Sequence, residues 1–225
     1  MTNMEKQISI LMIDDHPMIL EGYKNTLLGA DLDYFIEITT ASDCDSAFNE
    51  IKLASQNRPY DVVFIDINLP PSTVEAITSG EDLAMRVKQF MPDAKIVILT
   101  MYNENHRIHN ILKTIDPDGF LIKSDLTSTE LLLAFQMIIK NPPYYSSTVR
   151  HHVRQMITSD FSLDEKNMKI LYHLSRGVKT KSLGNYIGLS LSAIEKRKNH
   201  LKGLFGITQG DDEDLLKEAR NRGFI

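Results

Sequence analysis

The stretch ISILMIDDHPMIL (residues 8–20) joins a strand-like apolar run to two adjacent carboxylates. Five of the six residues from position 8 up to Asp14 are apolar, Asp15 follows directly, and an apolar helical pattern comes next. Two carboxylates side by side at the end of a buried strand repel one another and lose hydration. The pattern therefore indicates a positively charged ligand or partner that offsets this cost.

Four more apolar runs follow the first, and amphipathic stretches lie between them. Continuous Val/Ile/Leu runs are typical of parallel strands that are covered on both faces. Five such strands, each followed by a helix, predict an α/β doubly wound, five-stranded parallel sheet. The predicted strands are 8–13, 34–38, 62–67, 94–100 and 119–122. In such a sheet the ligand site lies outside the carboxyl ends of the strands.

Polar residues stand at the carboxyl ends of four predicted strands, and they are Asp14 with Asp15, Asp66, Thr100 and Lys123. Because these ends meet at one edge of a parallel sheet, the five side chains are expected to converge on one pocket. Carboxylate oxygens suit Mg²⁺, which keeps other positions for water and a phosphoryl group. Lys123 then supplies a positive charge for a phosphoryl oxygen, and Thr100 supplies a hydrogen-bond donor.

The segments IDDHP, FIDINLP, ILT and FLIKSD, in this order, resemble the receiver domain of bacterial two-component response regulators. The DDHP form is similar to the NarL/FixJ subfamily, and the resemblance covers about residues 7–140. It implies a flavodoxin-like fold in which Asp66 takes a phosphoryl group from a sensor histidine kinase. It also implies that Asp14 and Asp15 bind Mg²⁺ together with Asp66 and the backbone carbonyl of Asn68.

The same resemblance implies the residues that respond to phosphorylation. Lys123 would pair with the phosphoryl group, Thr100 would move toward it, and Phe120 would turn inward as the switch aromatic residue. His16, despite its place beside the aspartates, is interpreted as a loop residue and not as a ligand. The loop at 70–80 is longer than usual in this family, and its function is left open.

The α/β pattern ends at NPPYYSSTV (residues 141–149), since two prolines cannot continue a helix. The signals after this point are helical, so we expect a receiver domain over 1–140, a linker over 141–160 and a small all-α domain over 161–225. In the last of these, GLS at 188–190 is a tight turn, and Ser190 or Ser192 caps the helix that follows. This is the pattern of a helix-turn-helix, whose second helix enters the major groove of DNA.

The last domain resembles the LuxR-type helix-turn-helix, including its close EARNRGFI. The resemblance predicts binding of double-stranded DNA and a homodimer when the receiver is phosphorylated. Glu195 and Leu204 depart from the family, which usually has lysine at both positions. The predicted DNA-binding residues are Lys181, Lys196, Arg197, Lys198, Asn199 and Lys202.

Composition fits a soluble two-part regulator. The 225 residues carry a formal net charge of −5, which divides into −8 for residues 1–159 and +3 for residues 160–225. Cys44 is the only cysteine, so no disulfide forms within the chain, and the start MTNMEKQIS lacks an apolar signal segment. Apolar runs too short for a bilayer indicate no membrane partner, and a cytoplasmic location is expected.

Three alternatives stay open at this point. The first is an aspartate-nucleophile phosphatase on a similar sheet, although such enzymes use a spaced Asp-x-Asp motif and this chain has adjacent aspartates; we expect no enzyme. The second is a receiver whose helical output domain binds a protein instead of specific DNA. The third is a receiver that works without phosphorylation, against which the complete acidic set argues.

Overall fold

The computed structural model describes residues 6–102, 105–158, 163–207 and 209–225. Strands and helices alternate in its first part, and only helices follow β6. The strands are β1 Lys6–Ile13, β2 Tyr34–Ala41, β3 Val62–Asp66, β4 Lys95–Thr100, β5 Gly119–Ile122 and β6 Tyr144–Tyr145. The helices are α1 Pro17–Leu28, α2 Cys44–Gln56, α3 Gly80–Phe90, α4 Asn105–Thr114, α5 Ser128–Lys140, α6 Ser147–Thr158, α7 Glu165–Ser175, α8 Gly184–Ile187, α9 Leu191–Leu204 and α10 Asp212–Asn221, with 3-10 turns at Lys123–Asp125 and Thr180–Ser182.

The strands form one parallel sheet in the order β2-β1-β3-β4-β5-β6. Every residue of β3 and β5 is buried, as expected for central strands with helices on both faces. The doubly wound parallel sheet predicted from the apolar runs is therefore confirmed. It has one more strand than expected, because Tyr144 and Tyr145 pair with Gly119 and Phe120 of β5.

The order of the strands explains where the polar residues meet. The order reverses at β1, since β2 lies on one side of it and β3 on the other. In such sheets the crevice at the reversal point, outside the carboxyl ends, is the usual ligand site. β1 and β3 end at Ile13 and Asp66, so the residues that end or follow these two strands border this crevice.

The later helices pack around a core of their own, which includes Ile170, Leu171, Leu183, Ile194 and Leu201. Ile194, Leu201 and Phe205 face this core, as the sequence predicted. Gly188 takes a left-handed conformation (φ 69°) between α8 and α9, which glycine adopts without a steric penalty. Ser190 caps α9 by accepting a hydrogen bond from the Ala193 N–H.

The chain divides into two compact units. The described residues up to Tyr102, with Ile111–Val149, form the first unit, and residues 105–110, with the described residues from Arg150 onwards, form the second. Residues 141–149, expected to begin a linker, thus belong to the first unit because β6 extends its sheet.

No helix within the described ranges is long and apolar enough to cross a membrane.

Candidate functional site

A buried lysine lies between two aspartates at the carboxyl edge of the sheet. Asp14 follows β1, Asp66 ends β3 and Lys123 follows β5, so three parallel strands deliver them to the same place. The Nζ of Lys123 lies 2.7 Å from Oδ2 of Asp14 and 2.7 Å from Oδ2 of Asp66. Both aspartates and the lysine are buried. The structure therefore brings together three of the five residues that the sequence placed at one pocket.

The electrostatics of this cluster favour a charged lysine. Burial alone lowers the pKa of Lys123, but the hydrogen bonds and negative charges of Asp14 and Asp66 outweigh it, so the pKa lies above its usual value. Burial, together with the charges of the same two aspartates, raises the pKa of Tyr23 on α1 to about 12. The negative charges of Asp14 and Asp66 thus affect the pKa of a side chain on α1 as well as that of Lys123.

Asp15 and His16 complete an acidic cluster with Asp14 and Asp66. Ligand atoms from these four residues all lie within 4.8 Å of one another. The Nδ1 of His16 lies 2.7 Å from Oδ1 of Asp15 and 3.1 Å from Oδ1 of Asp14. The three carboxylates provide oxygen ligands of the kind that hard divalent cations prefer, so the residues present fit such an ion.

His16 is the member of this cluster that was predicted to be a loop residue and not a ligand. Its backbone N–H also donates to Oδ1 of Asp14, at 3.0 Å. The structure shows that its ring nitrogen contacts both neighbouring aspartates, which no periodic pattern indicated. The only available signal was its position directly after the pair.

Three further residues that the resemblance implicated are Asn68, Thr100 and Phe120. The N–H of Asn68 donates to Oδ1 of Asp66, at 3.2 Å. Thr100 ends β4 beside Ile122, is buried, and its hydroxyl accepts from the N–H of Tyr102 at 3.0 Å. Phe120 is fully buried within β5. The switch roles of Thr100 and Phe120 stay predictions.

Gly80, the first residue of α3, packs against the backbone of the phosphoacceptor candidate. A Cβ at this position would lie 2.0 Å from the carbonyl oxygen of Asp66, closer than any side chain permits. The Gly80 N–H donates to the carbonyl of Ile67, at 3.1 Å. The absence of a side chain at Gly80 therefore lets α3 start directly behind Asp66.

The long loop before Gly80 is tied to α2. Asp45 accepts hydrogen bonds from the hydroxyls of Ser72 and Thr73 and from the Thr73 N–H. Lys52 pairs with Glu75 at 2.8 Å. These contacts give the loop a defined path over α2.

A second set of hydrogen bonds links the lysine loop to the start of α6. Asp125, two residues beyond Lys123, accepts from the hydroxyl of Ser146 at 2.7 Å and from the N–H of Thr148 at 2.9 Å. Ser146 is fully buried, and its hydroxyl accepts from the Ile122 N–H at 3.1 Å. The end of β5 and the first turn of α6 are thus held together within the first unit.

The predicted DNA-binding residues fall into two groups. Lys181, Lys196 and Asn199 are exposed. Arg197 pairs with Asp164 at 2.6 Å and donates to the side chain of Asn167 at 3.0 Å.

Lys202 and Lys198 are also engaged within the second unit. Lys202 donates to the carbonyl of Gly210 at 2.9 Å. Lys198 is buried, and its Nζ lies 2.8 Å from both Oδ2 of Asp212 and Oγ1 of Thr180. An ammonium in that position is an internal ion-pair partner and is not available to contact DNA. The prediction that Lys198 binds DNA is therefore corrected.

The chain is similar in sequence and in fold to several known proteins. The family model for the response regulator receiver domain matches residues 10–135. The oxygen regulatory protein NreC of Staphylococcus epidermidis is 25% identical over 207 residues, which cover 86% of this chain and 89% of that protein. The transcriptional regulatory protein MctR of Rhizobium johnstonii is 26% identical over 221 residues, which cover 97% and 96% of the two chains. A solved structure of two RcsB dimers bound to two parallel DNAs has the same fold, with a TM-score of 0.64, 19% identity, and coverage of 96% and 98%.

Proposed function

The chain belongs to the response regulator receiver domain family, and we propose that it is a transcription regulator switched by phosphorylation of Asp66. A sensor histidine kinase donates the phosphoryl group, and helices α7–α10 bind double-stranded DNA in response. The observation that carries the proposal is the position of Lys123, whose Nζ lies 2.7 Å from carboxylate oxygens of both Asp14 and Asp66.

In the proposed reaction a carboxylate oxygen of Asp66 attacks the phosphorus of a phosphohistidine. The P–N bond breaks, an acyl phosphate forms, and the histidine leaves as the neutral ring after taking up a proton. Lys123 then pairs with a phosphoryl oxygen in place of Oδ2 of Asp66. The chain accepts one phosphoryl group and does not turn over a phosphate ester, so it is not proposed to be an enzyme.

Asp14, Asp15 and Asp66, with the backbone carbonyl of Asn68, would hold Mg²⁺. The ion supplies positive charge that offsets the charge of the phosphoryl oxygens during transfer. Among the described residues, Lys123 supplies the one buried ammonium in contact with this cluster, so the cluster retains the negative charge that such an ion requires.

Transmission of the signal is proposed to run through Thr100 and Phe120. Thr100 would turn its hydroxyl from the Tyr102 N–H toward the phosphoryl group, and Phe120 would change its packing. Both changes would shift an existing equilibrium toward an active form, in which a homodimer presents two helix-turn-helix units to paired half-sites. The cytoplasm, where a lone cysteine stays reduced, is the setting that we propose.

Phosphorylation is tested by intact-mass measurement after the full chain is treated with a small-molecule phosphodonor and Mg²⁺. We expect one added phosphoryl group in the wild type and none in Asp66→Asn. Asp93→Asn is the matched control, since Asp93 is an exposed aspartate that precedes β4 at the opposite edge of the sheet. Labelling of Asp66→Asn equal to wild type would overturn the proposed mechanism, and continuous release of phosphate from an ester would favour a phosphatase.

DNA binding is tested by selection of bound fragments from a random double-stranded pool. The full chain is used with Mg²⁺, in the presence and absence of beryllofluoride as a phosphoryl mimic. Enrichment of one motif, stronger with the mimic, is the expected result.

A second candidate function is a helical output unit that binds a protein. It is favoured by the engagement of Arg197, Lys198 and Lys202 within the protein, which reduces the free positive charge on α9. Absence of an enriched motif in either state would support this alternative.

A further inference from the structure

Most of the Lys and Arg side chains of α9 contact other groups of the protein, although the helix is rich in these residues. Three of its four Lys and Arg side chains are held by protein groups. Arg197 pairs with Asp164 at 2.6 Å, Lys198 with Asp212 at 2.8 Å, and Lys202 donates to a backbone carbonyl at 2.9 Å. These contacts draw positive charge away from the surface that a DNA duplex would meet.

The side chains left on the outer face are of a different kind. Ile194, Lys198 and Leu201 are buried and define the inner face of α9. Glu195, Lys196 and Asn199 are exposed, and Glu195 is the only acidic residue of the helix. Such a face offers specific hydrogen-bonding groups more than a general attraction to phosphates.

The carboxylate of Glu195 is accessible to solvent and lies near one lysine of the same helix. Its side chain is 50% exposed, and Oε2 lies 3.5 Å from Nζ of Lys198, whose own closer partner is Asp212. Glu195 is the fifth residue of the 14-residue helix α9. In a helix-turn-helix, exposed residues early in the second helix contact base edges.

An ionised carboxylate accepts hydrogen bonds and donates none, which restricts the bases that it suits. In the major groove, guanine presents two acceptors, thymine one acceptor and a methyl group, and adenine a donor beside an acceptor. Cytosine presents its N4 amino donor without a neighbouring acceptor. A carboxylate that reaches base edges therefore selects cytosine and is repelled most strongly by guanine.

We infer that Glu195 is a specificity-determining residue that reads cytosine in the major groove, an inference that rests on the proposed DNA-binding function. Lys196 and Asn199 lie on the same exposed side and supply a phosphate or guanine contact and an adenine contact, respectively. A lysine at position 195 would favour guanine, so a variant with lysine there is expected to read a different half-site.

The test is selection from a random DNA pool by the full chain with Mg²⁺ and beryllofluoride, repeated with Glu195→Gln and Glu195→Lys. The wild type is expected to prefer cytosine at one position of each half-site by at least about fivefold. Because glutamine pairs with adenine and lysine with guanine, Glu195→Gln should move the preference at that position to adenine and Glu195→Lys to guanine. The rest of the motif should stay the same.

Two control variants separate base reading from a change of charge. Glu213→Gln removes one negative charge from an exposed position of α10 and should leave the motif unaltered. Lys196→Ala, if the residue contacts phosphate, should weaken binding to all sequences about equally and lower the salt dependence by about one charge.

The outcomes distinguish the inference from the function on which it rests. A wild-type motif that is identical in Glu195→Gln and Glu195→Lys overturns the role of Glu195 and leaves the DNA-binding function standing. No wild-type motif with Mg²⁺ and beryllofluoride overturns both and supports a protein partner. A motif whose single position changes in the stated order supports both.

Discussion

Each unit of the protein buries a lysine against an aspartate, at Lys123 in the first unit and at Lys198 in the second, in the part of the chain that the structure describes. The closest contacts are nearly equal. Lys123 lies 2.7 Å from Asp14 and from Asp66, and Lys198 lies 2.8 Å from Asp212. Distance and burial alone would assign the two lysines the same role.

The two sites differ in their balance of charge. Lys123 is surrounded by Asp14, Asp66 and, through the acidic cluster, Asp15, so negative charge is in excess. Lys198 has Asp212 as its close carboxylate and Glu195 at 3.5 Å, and Lys202 lies 3.9 Å from Asp212. Two ammonium groups thus face two carboxylates, so the charges there nearly cancel. An excess of negative charge can attract a cation, and it lets the lysine exchange one carboxylate partner for another group. A balanced set of charges mainly holds helices together. Carboxylates therefore outnumber the ammonium groups around Lys123 but not around Lys198.

The largest loss of stability is expected for a substitution that displaces the backbone at Asp66. Gly80→Ala would place a Cβ 2.0 Å from the Asp66 carbonyl oxygen, so α3 or β3 must shift. We expect a loss of about 3 kcal/mol in the free energy of unfolding, as for other overpacked positions. Urea unfolding measures it, together with the rate of Asp66 phosphorylation, which should also fall.

Gly22→Ala is the matched control for this substitution. Gly22 lies within α1, and a Cβ there meets no atom within 4 Å. Alanine should raise stability by up to about 1 kcal/mol, because it forms helix more readily than glycine. Equal effects of the two substitutions would show that the contact behind Asp66 is not restrictive.

The second prediction breaks the balanced pair. Lys198→Met leaves the Asp212 carboxylate without its close cation, and we expect a loss of about 2 kcal/mol in the stability of the second unit. The expected loss is below that of a fully buried pair because Asp212 stays partly hydrated, with a side chain that is 37% exposed. Adding Asp212→Asn should recover part of this loss in thermal unfolding. A double variant less stable than Lys198→Met would contradict a simple ion pair.

The third prediction uses Lys123→Met to sharpen the difference in charge. Removing the ammonium leaves three carboxylates without their internal cation, so affinity for Mg²⁺ should rise about tenfold, equivalent to about 1.4 kcal/mol. Isothermal titration calorimetry measures this affinity, with Lys198→Met as the control that should bind Mg²⁺ like wild type. Weaker binding by Lys123→Met would show that the lysine does not compete with the cation.

The smallest effect is expected at a more exposed pair of the second unit. Burial alone would raise the pKa of Asp164, but hydrogen bonds from Arg197 and from the Asn167 N–H outweigh it and lower the pKa. Its stabilisation is therefore present above the unfolded pKa of about 3.9 and is lost as the pH falls through the lower folded value. Melting temperatures measured between pH 6 and pH 2, a range chosen to span this loss, should fall less steeply for Asp164→Asn. Equal slopes would exclude the contribution.

Much of the fold and the centre of the candidate site were predictable from sequence. Parallel strands appear as continuous apolar runs, and the carboxyl ends of such strands meet at one edge whatever the details of packing. This is why the convergence of Asp14, Asp66 and Lys123 followed from a linear pattern. The contacts of the His16 ring with both aspartates were not predicted, because the position of the ring depends on local geometry after β1, which carries no periodic signal.

The sequence by itself determined which polar residues follow each strand and that the second unit is helical, since both depend on periodicity and composition. It also determined the residue types on α9. Only the tertiary structure decided which charges are paired. Lys198 lies between exposed Lys196 and Asn199 in the chain, yet packing turns it toward Asp212 and Thr180 while Glu195 stays at the surface. The physical reason is that an ion pair forms between side chains close in space, and residues 14 and 18 positions apart become neighbours only when their helices pack.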